Sequence, residues 1–163
     1  MAEPLTIGTV TVMPGEMQRG AIRAGVDMAG APRETPIIVY RGVEEGPRLW
    51  LNGATHGDEP EGPFSIFLAL KEVDPKRLRG TVVAVPAMNV AGFTAGTRGD
   101  PLDTFAYDMN RVYPGKADGY PTERVAHTHW LAMKEHCDLQ IAIHSGGEHS
   151  YLAHMIFASD NPA

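Results

Sequence analysis

The stretch Leu51–Phe64, "LNGATHGDEPEGPF", sets His56, Asp58, Glu59 and Glu61 within six residues, directly after one apolar run and directly before another. The run before it, "PRLWLNGA" from Pro47, reads as a strand near the core. So does "PIIVYRG" from Pro36, across the turn-like "VEEGP". After it, Ile66, Ala69, Leu70 and Val73 fall at i, i+3, i+4 and i+7, with Phe64, Phe67 and Leu68 filling much of the rest. That pattern predicts a helix buried on most sides. A strand that turns through ionisable residues into a helix is the start of an α/β unit.

The pattern repeats further along. "GTVVAVPAMN" from Gly80 is a continuous apolar run with paired valines and a proline stop, and it reads as an inner strand. A second helix begins near "PTER", with Thr122 as cap, Glu123 in the first turn and a stripe of Ala126, Trp130, Met133 and Cys137. It leads into "LQIAIHSGG", a strand that ends at His144. The order strand, helix, strand, helix, strand predicts an α/β domain whose central sheet is mixed and largely parallel and is flanked by helices. Residues 1–33 form an N-terminal section of short strands, with a hairpin expected across "PGEMQRG", and residues 34–163 form the α/β domain. Asn89–Pro121 has turn signals and no sustained period; a segment of that length without regular structure reads as functional. The apolar "YLAHMIFA" near the end reads as a further strand.

In such sheets ligands sit beyond the carboxyl ends of the strands. His56 and His144 each follow an apolar strand, so both belong on one rim.

Composition narrows the chemistry. The 163 residues suffice for one ordinary domain. Fourteen Lys and Arg against twenty Asp and Glu give a net charge of -6 without a basic block, which argues against nucleic acid as a partner. No apolar run approaches the roughly 18 residues that span a bilayer, and "MAEPLTIGTV" is unlike a signal peptide, so no membrane association and a cytoplasmic location are expected. Cys137 is the only cysteine, so any metal must be held by His and carboxylates.

Two His and one Glu, with a position left for water, are a recurrent catalytic zinc set. His56 and Glu59 are three apart at a turn, and His144 would be the third ligand. Taken alone, a His-x-x-Glu pair reads as a turn hydrogen bond beside an unrelated histidine, since two common residues at one spacing recur often by chance. Asp58 could orient a ligand histidine, or with Glu61 could favour the positive end of the following helix. His127, His129 and His136 read as partly exposed helix residues.

Four separated motifs, "NGATHGDEPEG", "PAMNVAGF", "DMNRVYPG" and "IAIHSGG", agree in order and spacing, and over about Pro36 to His144 the chain resembles the zinc-binding part of the succinylglutamate desuccinylase and aspartoacylase family. That family is related to zinc carboxypeptidases. The resemblance implies a zinc carboxypeptidase-like fold and a zinc-dependent amidohydrolase, a deacylase cleaving the amide of a small N-acyl amino acid. It implies Zn2+ as cofactor, with His56, Glu59 and His144 matching the metal ligands.

The resemblance also puts Asn110 and Arg111 where a substrate carboxylate is bound, and an arginine fork suits that group. Arg98 would be a second guanidinium that polarises the scissile carbonyl or grips the substrate. The structural alternative for Arg111 is a salt bridge with Asp108 or Asp103.

Two departures from the family stand out. Ala142 occupies a position that usually carries Asp, and the family's general base lies well downstream of the third ligand, whereas 19 residues follow His144 here. No general base is therefore identified. The chain is expected to be incomplete at its C-terminus relative to the family, and an exposed sheet edge would favour self-association. The other functions compatible with these residues are a zinc carboxypeptidase acting on peptides and a non-catalytic metal- or partner-binding module.

Overall fold

A computed structural model describes residues 3–27, 29–152 and 155–159. Two short strands, β1 (Leu5–Ile7) and β2 (Val10–Val12), form a hairpin. Five more strands form one sheet: β3 (Glu16–Val26), β4 (Pro32–Arg41), β5 (Glu44–Asn52), β6 (Arg79–Val85) and β7 (Leu139–Ala142). Their spatial order is β3-β4-β6-β5-β7. β4 is antiparallel to both neighbours, while β6 and β7 each run parallel to β5, so the sheet is mixed as expected. Among the described residues three α-helices accompany it: α1 (Glu61–Leu70), α2 (Val90–Ala95) and α3 (Pro121–His136).

The apolar runs are continuous because the sheet is covered on both faces. Ile37, Val39, Trp50, Val83 and Val85 point to one side, where they pack with Val125, Ala126 and Met133 of α3 and with Ile7, Val10 and Val12 of the hairpin. The alternate residues Ile38, Tyr40, Leu51, Val82 and Ala84 point to the other, against Ile66 and Leu70 of α1. The period of two thus divides each strand between two cores. Among the described residues no helix is long and apolar enough to cross a membrane.

Six local expectations are corrected. The hairpin turn falls at Gly8 and Thr9, not across "PGEMQRG", most of which belongs to β3. Helix α1 buries Gly62, Pro63, Ile66 and Leu70 but exposes Phe64, Phe67 and Leu68, because the sheet covers only one of its faces. Asn89–Pro121 does contain a helix: Asn89 caps α2 by accepting from Gly92 N at 3.0 Å, and Gly96, at φ +65°, ends it.

Helix α3 starts at Pro121, which needs no N–H partner there, with Tyr120 as cap residue and Glu123 accepting from Tyr120 N at 2.9 Å. Its buried stripe is Val125, Ala126, His129 and Met133, leaving Trp130 41% exposed. Finally, residues 151, 152 and 155–158 form no strand, since no described segment offers them a ladder; Ala153 and His154 lie outside the described residues.

Candidate metal centre

Adjacent parallel strands deliver the two histidines to one rim. Asn52 of β5 is paired with Ala142 of β7, and Ile143 N donates to Asn52 O at 2.8 Å, so the chains leave the sheet side by side toward His56 and His144. The exit from β5 is then fixed from below. Gly53 N donates to Val85 O, Met88 N to Gly53 O and Asn89 N to Ala54 O. Ala54 takes a positive φ of 43°, which re-aims the chain within the turn. Gly57 lies so close to α2 that a Cβ there would stand 2.0 Å from Gly92 C, and its N–H donates to Arg98 O at 3.0 Å. Only glycine fits that contact.

The three residues expected from the sequence converge. His56, Glu59 and His144 each offer a ligand atom, all within 4.8 Å of one another. Glu59 is the centre of the group: Oε1 lies 2.8 Å from His56 Nδ1 and Oε2 lies 2.9 Å from His144 Nδ1, and Oε2 also accepts from Ser145 N at 3.1 Å. The two imidazole rings are 5.0 Å apart and tilted by 51°.

Asp108 closes the arrangement from behind, with Oδ1 3.0 Å from His56 Nε2. Its Oδ2 accepts from Arg98 through Nε at 3.2 Å and Nη2 at 2.8 Å, and Arg98 Nη1 lies 4.0 Å from Glu59. The loop bearing these groups is anchored to β4 by the ion pair of half-buried Arg33 with buried Asp100 at 2.7 Å.

The electrostatics follow from these contacts. Burial would raise the Glu59 pKa, but hydrogen bonds from His144, His56 and Ser145 N–H outweigh it and bring it to about 2. Burial would likewise lower the His56 pKa, yet the bonds to Glu59 and Asp108 raise it. A neutral imidazole donates through one nitrogen only, whereas the doubly protonated ring satisfies both carboxylates. Asp108 is held below its ordinary range by Arg98 and His56 despite burial that opposes this.

A cation fits this donor set. Both Nδ1 atoms face one ionised carboxylate, and the far nitrogen of His56 is engaged by Asp108, the kind of outer carboxylate contact that metal-binding histidines make. A cation in the cluster would take the place of the protons that now bridge Glu59 to the rings.

The other sequence-derived residues separate. Asn110 and Arg111 sit in a 3-10 turn, Met109–Arg111, started by Asp108, whose Oδ1 accepts from Asn110 N at 2.9 Å. Both are exposed beside the cluster. Arg111 forms neither expected salt bridge: Asp108 is taken by His56 and Arg98, and Asp103 by the N–H groups of Thr122 and Ala106. Among the described residues its guanidinium hydrogen-bonds only to the Asn110 carbonyl, at 3.4 Å.

Among the described residues Asp58 is hydrogen-bonded to no histidine. Its Oδ2 lies against Gly147, where a Cβ would stand 2.6 Å away. The orienting acid is Asp108, which the sequence reading assigned only as a salt-bridge partner. The available signal was its place two residues before Asn110, in a loop that also holds Arg98.

His129 is also corrected: it is fully buried, edge-on to Trp50 with ring centroids 6.1 Å apart, because it shares the stripe of Val125 and Met133.

Residues 45–163 match the profile described as "Succinylglutamate desuccinylase/Aspartoacylase catalytic domain". The chain is 36% identical over 118 residues to an N-alpha-acetyl-L-2,4-diaminobutyric acid deacetylase of Halomonas elongata, covering 72% of this chain and 33% of that one. Among solved structures, it is similar to an aspartoacylase family protein from Mesorhizobium loti, with a TM-score of 0.75 and 26% identity over 90% of this chain and 45% of the other. It is also similar to the product-bound ectoine utilization protein EutE (DoeB) from Ruegeria pomeroyi, with a TM-score of 0.74 and 28% identity over 88% of this chain and 43% of the other. The chain therefore spans between a third and a half of the length of these relatives.

Proposed function

The chain belongs to the succinylglutamate desuccinylase/aspartoacylase family, and on that premise we propose that it carries the metal- and carboxylate-binding part of a zinc-dependent deacylase that hydrolyses the amide of a small N-acyl amino acid. The observation that carries this reading is the convergence of His56, Glu59 and His144 from two strand exits onto one point. The similar Halomonas elongata protein, named as a deacetylase of an N-acetylated amino acid, supports the substrate class.

In this reading His56, Glu59 and His144 hold the zinc. When bound, zinc supplies a Lewis acid for the acyl carbonyl and acidifies water. The remaining chemistry belongs to the chain. Asp108 accepts the Nε2–H of His56, which fixes the tautomer that leaves Nδ1 free as a ligand. Arg98, braced by Asp108 and close to Glu59, presents Nη1 toward the acyl oxygen or the substrate. Arg111, free of carboxylates among the described residues, grips the amino-acid carboxylate with Asn110 beside it. The only carboxylates hydrogen-bonded to the histidines among the described residues are Glu59 and Asp108, and both have these other tasks.

Two measurements test these roles. Asp108→Ala leaves His56 without its orienting acceptor, so zinc affinity by chelator competition should fall by roughly ten- to a hundredfold; an unchanged affinity would remove Asp108 from the site. Arg111→Lys keeps the charge but loses the planar fork. Binding of an N-acetyl amino acid to the zinc-loaded protein, measured by calorimetry, should weaken about tenfold or more, the equivalent of one charge-assisted hydrogen bond. Methyl esters of the same ligands should bind wild type and variant alike. Equal affinity of wild type and Arg111→Lys for the free carboxylate would assign Arg111 another role.

A further inference from the structure

Ser145 follows the third candidate ligand and is bonded twice to the turn that carries the second. Its N–H donates to Glu59 Oε2 at 3.1 Å, and its hydroxyl donates to Glu61 Oε2. Glu61 is the first residue of α1. Beside it, Gly62 is packed against Gly53 and the Ile143 carbonyl so closely that an added Cβ would stand 3.0 Å from each. The start of α1 is therefore wedged between the exits of β5 and β7, and the Glu61–Ser145 bond joins it to the residue after His144.

His144 is the ligand that needs such a tie. Among the described residues its strand, β7, has a neighbour on one side only, and it is four residues long and exposed throughout. The His144 side chain is 30% exposed, against 6% for His56 and 4% for Glu59. His56 is braced from behind by Asp108, whereas among the described residues the only side chain hydrogen-bonded to His144 is Glu59.

We propose that Glu61 and Ser145 form a latch that sets the metal affinity of the site by holding His144 against Glu59. Both are positioning residues, and neither is a ligand. The proposal rests on the reading of His56, Glu59 and His144 as a zinc site. A ligand already in place is not ordered at the moment of binding, so affinity is gained without any new contact to the metal. Opening the latch should act like the loss of other outer partners of metal ligands.

The test is a set of zinc affinities, by competition with a chromophoric chelator, for the 163-residue chain and its Ser145→Ala, Glu61→Ala, double and Ser145→Thr variants. The melting temperature of each metal-free protein is measured alongside. Ser145→Ala and Glu61→Ala should each weaken zinc binding by roughly ten- to a hundredfold. The double variant should be no weaker than the weaker single, because both remove one bond. Ser145→Thr, which keeps the hydroxyl, should restore most of the affinity, with metal-free melting unchanged throughout.

Wild-type affinity in Ser145→Ala would overturn the latch. So would additive losses in the double variant, which would trace the effect to the charge of Glu61, and so would a loss that tracks metal-free melting and is not rescued by threonine. Failure of the underlying site is distinct: a wild-type chain that does not bind zinc, or a His144→Ala variant that still does, overturns both proposals, whereas a defective His144→Ala beside an unaffected Ser145→Ala overturns the latch alone.

Discussion

Between neutrality and about pH 4 the metal-free chain should lose about 3 kcal/mol of stability through one side chain, His129, and His129→Leu should abolish that loss. The ring is fully buried against Trp50, and neither nitrogen has a hydrogen-bond partner among the described residues. Burial pushes its pKa down from 6.5 to about 4. The folded value lies below the unfolded one, so as pH falls through 6.5 the unfolded chain takes up the proton first, and stability drains away until the folded value is reached.

Other groups do not account for the difference between the two proteins. His56 is shifted the opposite way, so its contribution is complete below 6.5 and fades as pH rises. Glu59, Asp103 and Asp108 are lowered carboxylates whose contributions are lost mainly below the ordinary carboxylate range. His136, lowered by burial, acts in the same direction as His129 but is present in both proteins. Leucine of similar size removes two unpartnered polar atoms, so the variant should be about as stable as wild type near neutrality, or more so. Urea unfolding in the presence of a chelator, repeated down the pH range, gives the result; a variant that keeps the wild-type pH dependence would show that His129 is not the group responsible.

His129 also shows where the sequence stopped being informative. The helical period of α3 is legible, but the apolar residues at that period, Ala126, Trp130, Met133 and Cys137, trace a stripe that runs through Trp130. Rotating the buried face by one residue selects Val125, His129 and Met133, and only the sheet beneath, with Trp50 already filling the layer, decides between the two. The same limit applies to α1. Phe64, Phe67 and Leu68 are apolar, but burial depends on whether another element covers that face, and among the described residues none does.

The rim was legible because strands that stop at Asn52 and Ala142 announce themselves by composition, and His56 and His144 follow within four residues of those ends. Which acid would stand behind His56 was not. Asp58 is near in sequence and Asp108 is 52 residues away; the choice was made by the packing of Gly57 on Gly92 and by the Arg33–Asp100 anchor, neither of which leaves a local pattern.

The central claim is that His56, Glu59 and His144 form one zinc site, and removing any ligand of a three-ligand site should abolish stable binding. His144→Ala is the most discriminating variant. His144 is the most exposed of the three, and its removal leaves the Glu59–His56–Asp108 chain of hydrogen bonds intact. The direct measurement is zinc content by elemental analysis after chelator treatment, reconstitution with zinc and removal of excess metal. The wild-type chain should retain one zinc per molecule and His144→Ala essentially none; equal zinc in the two proteins, or none in the wild type, would contradict the assignment.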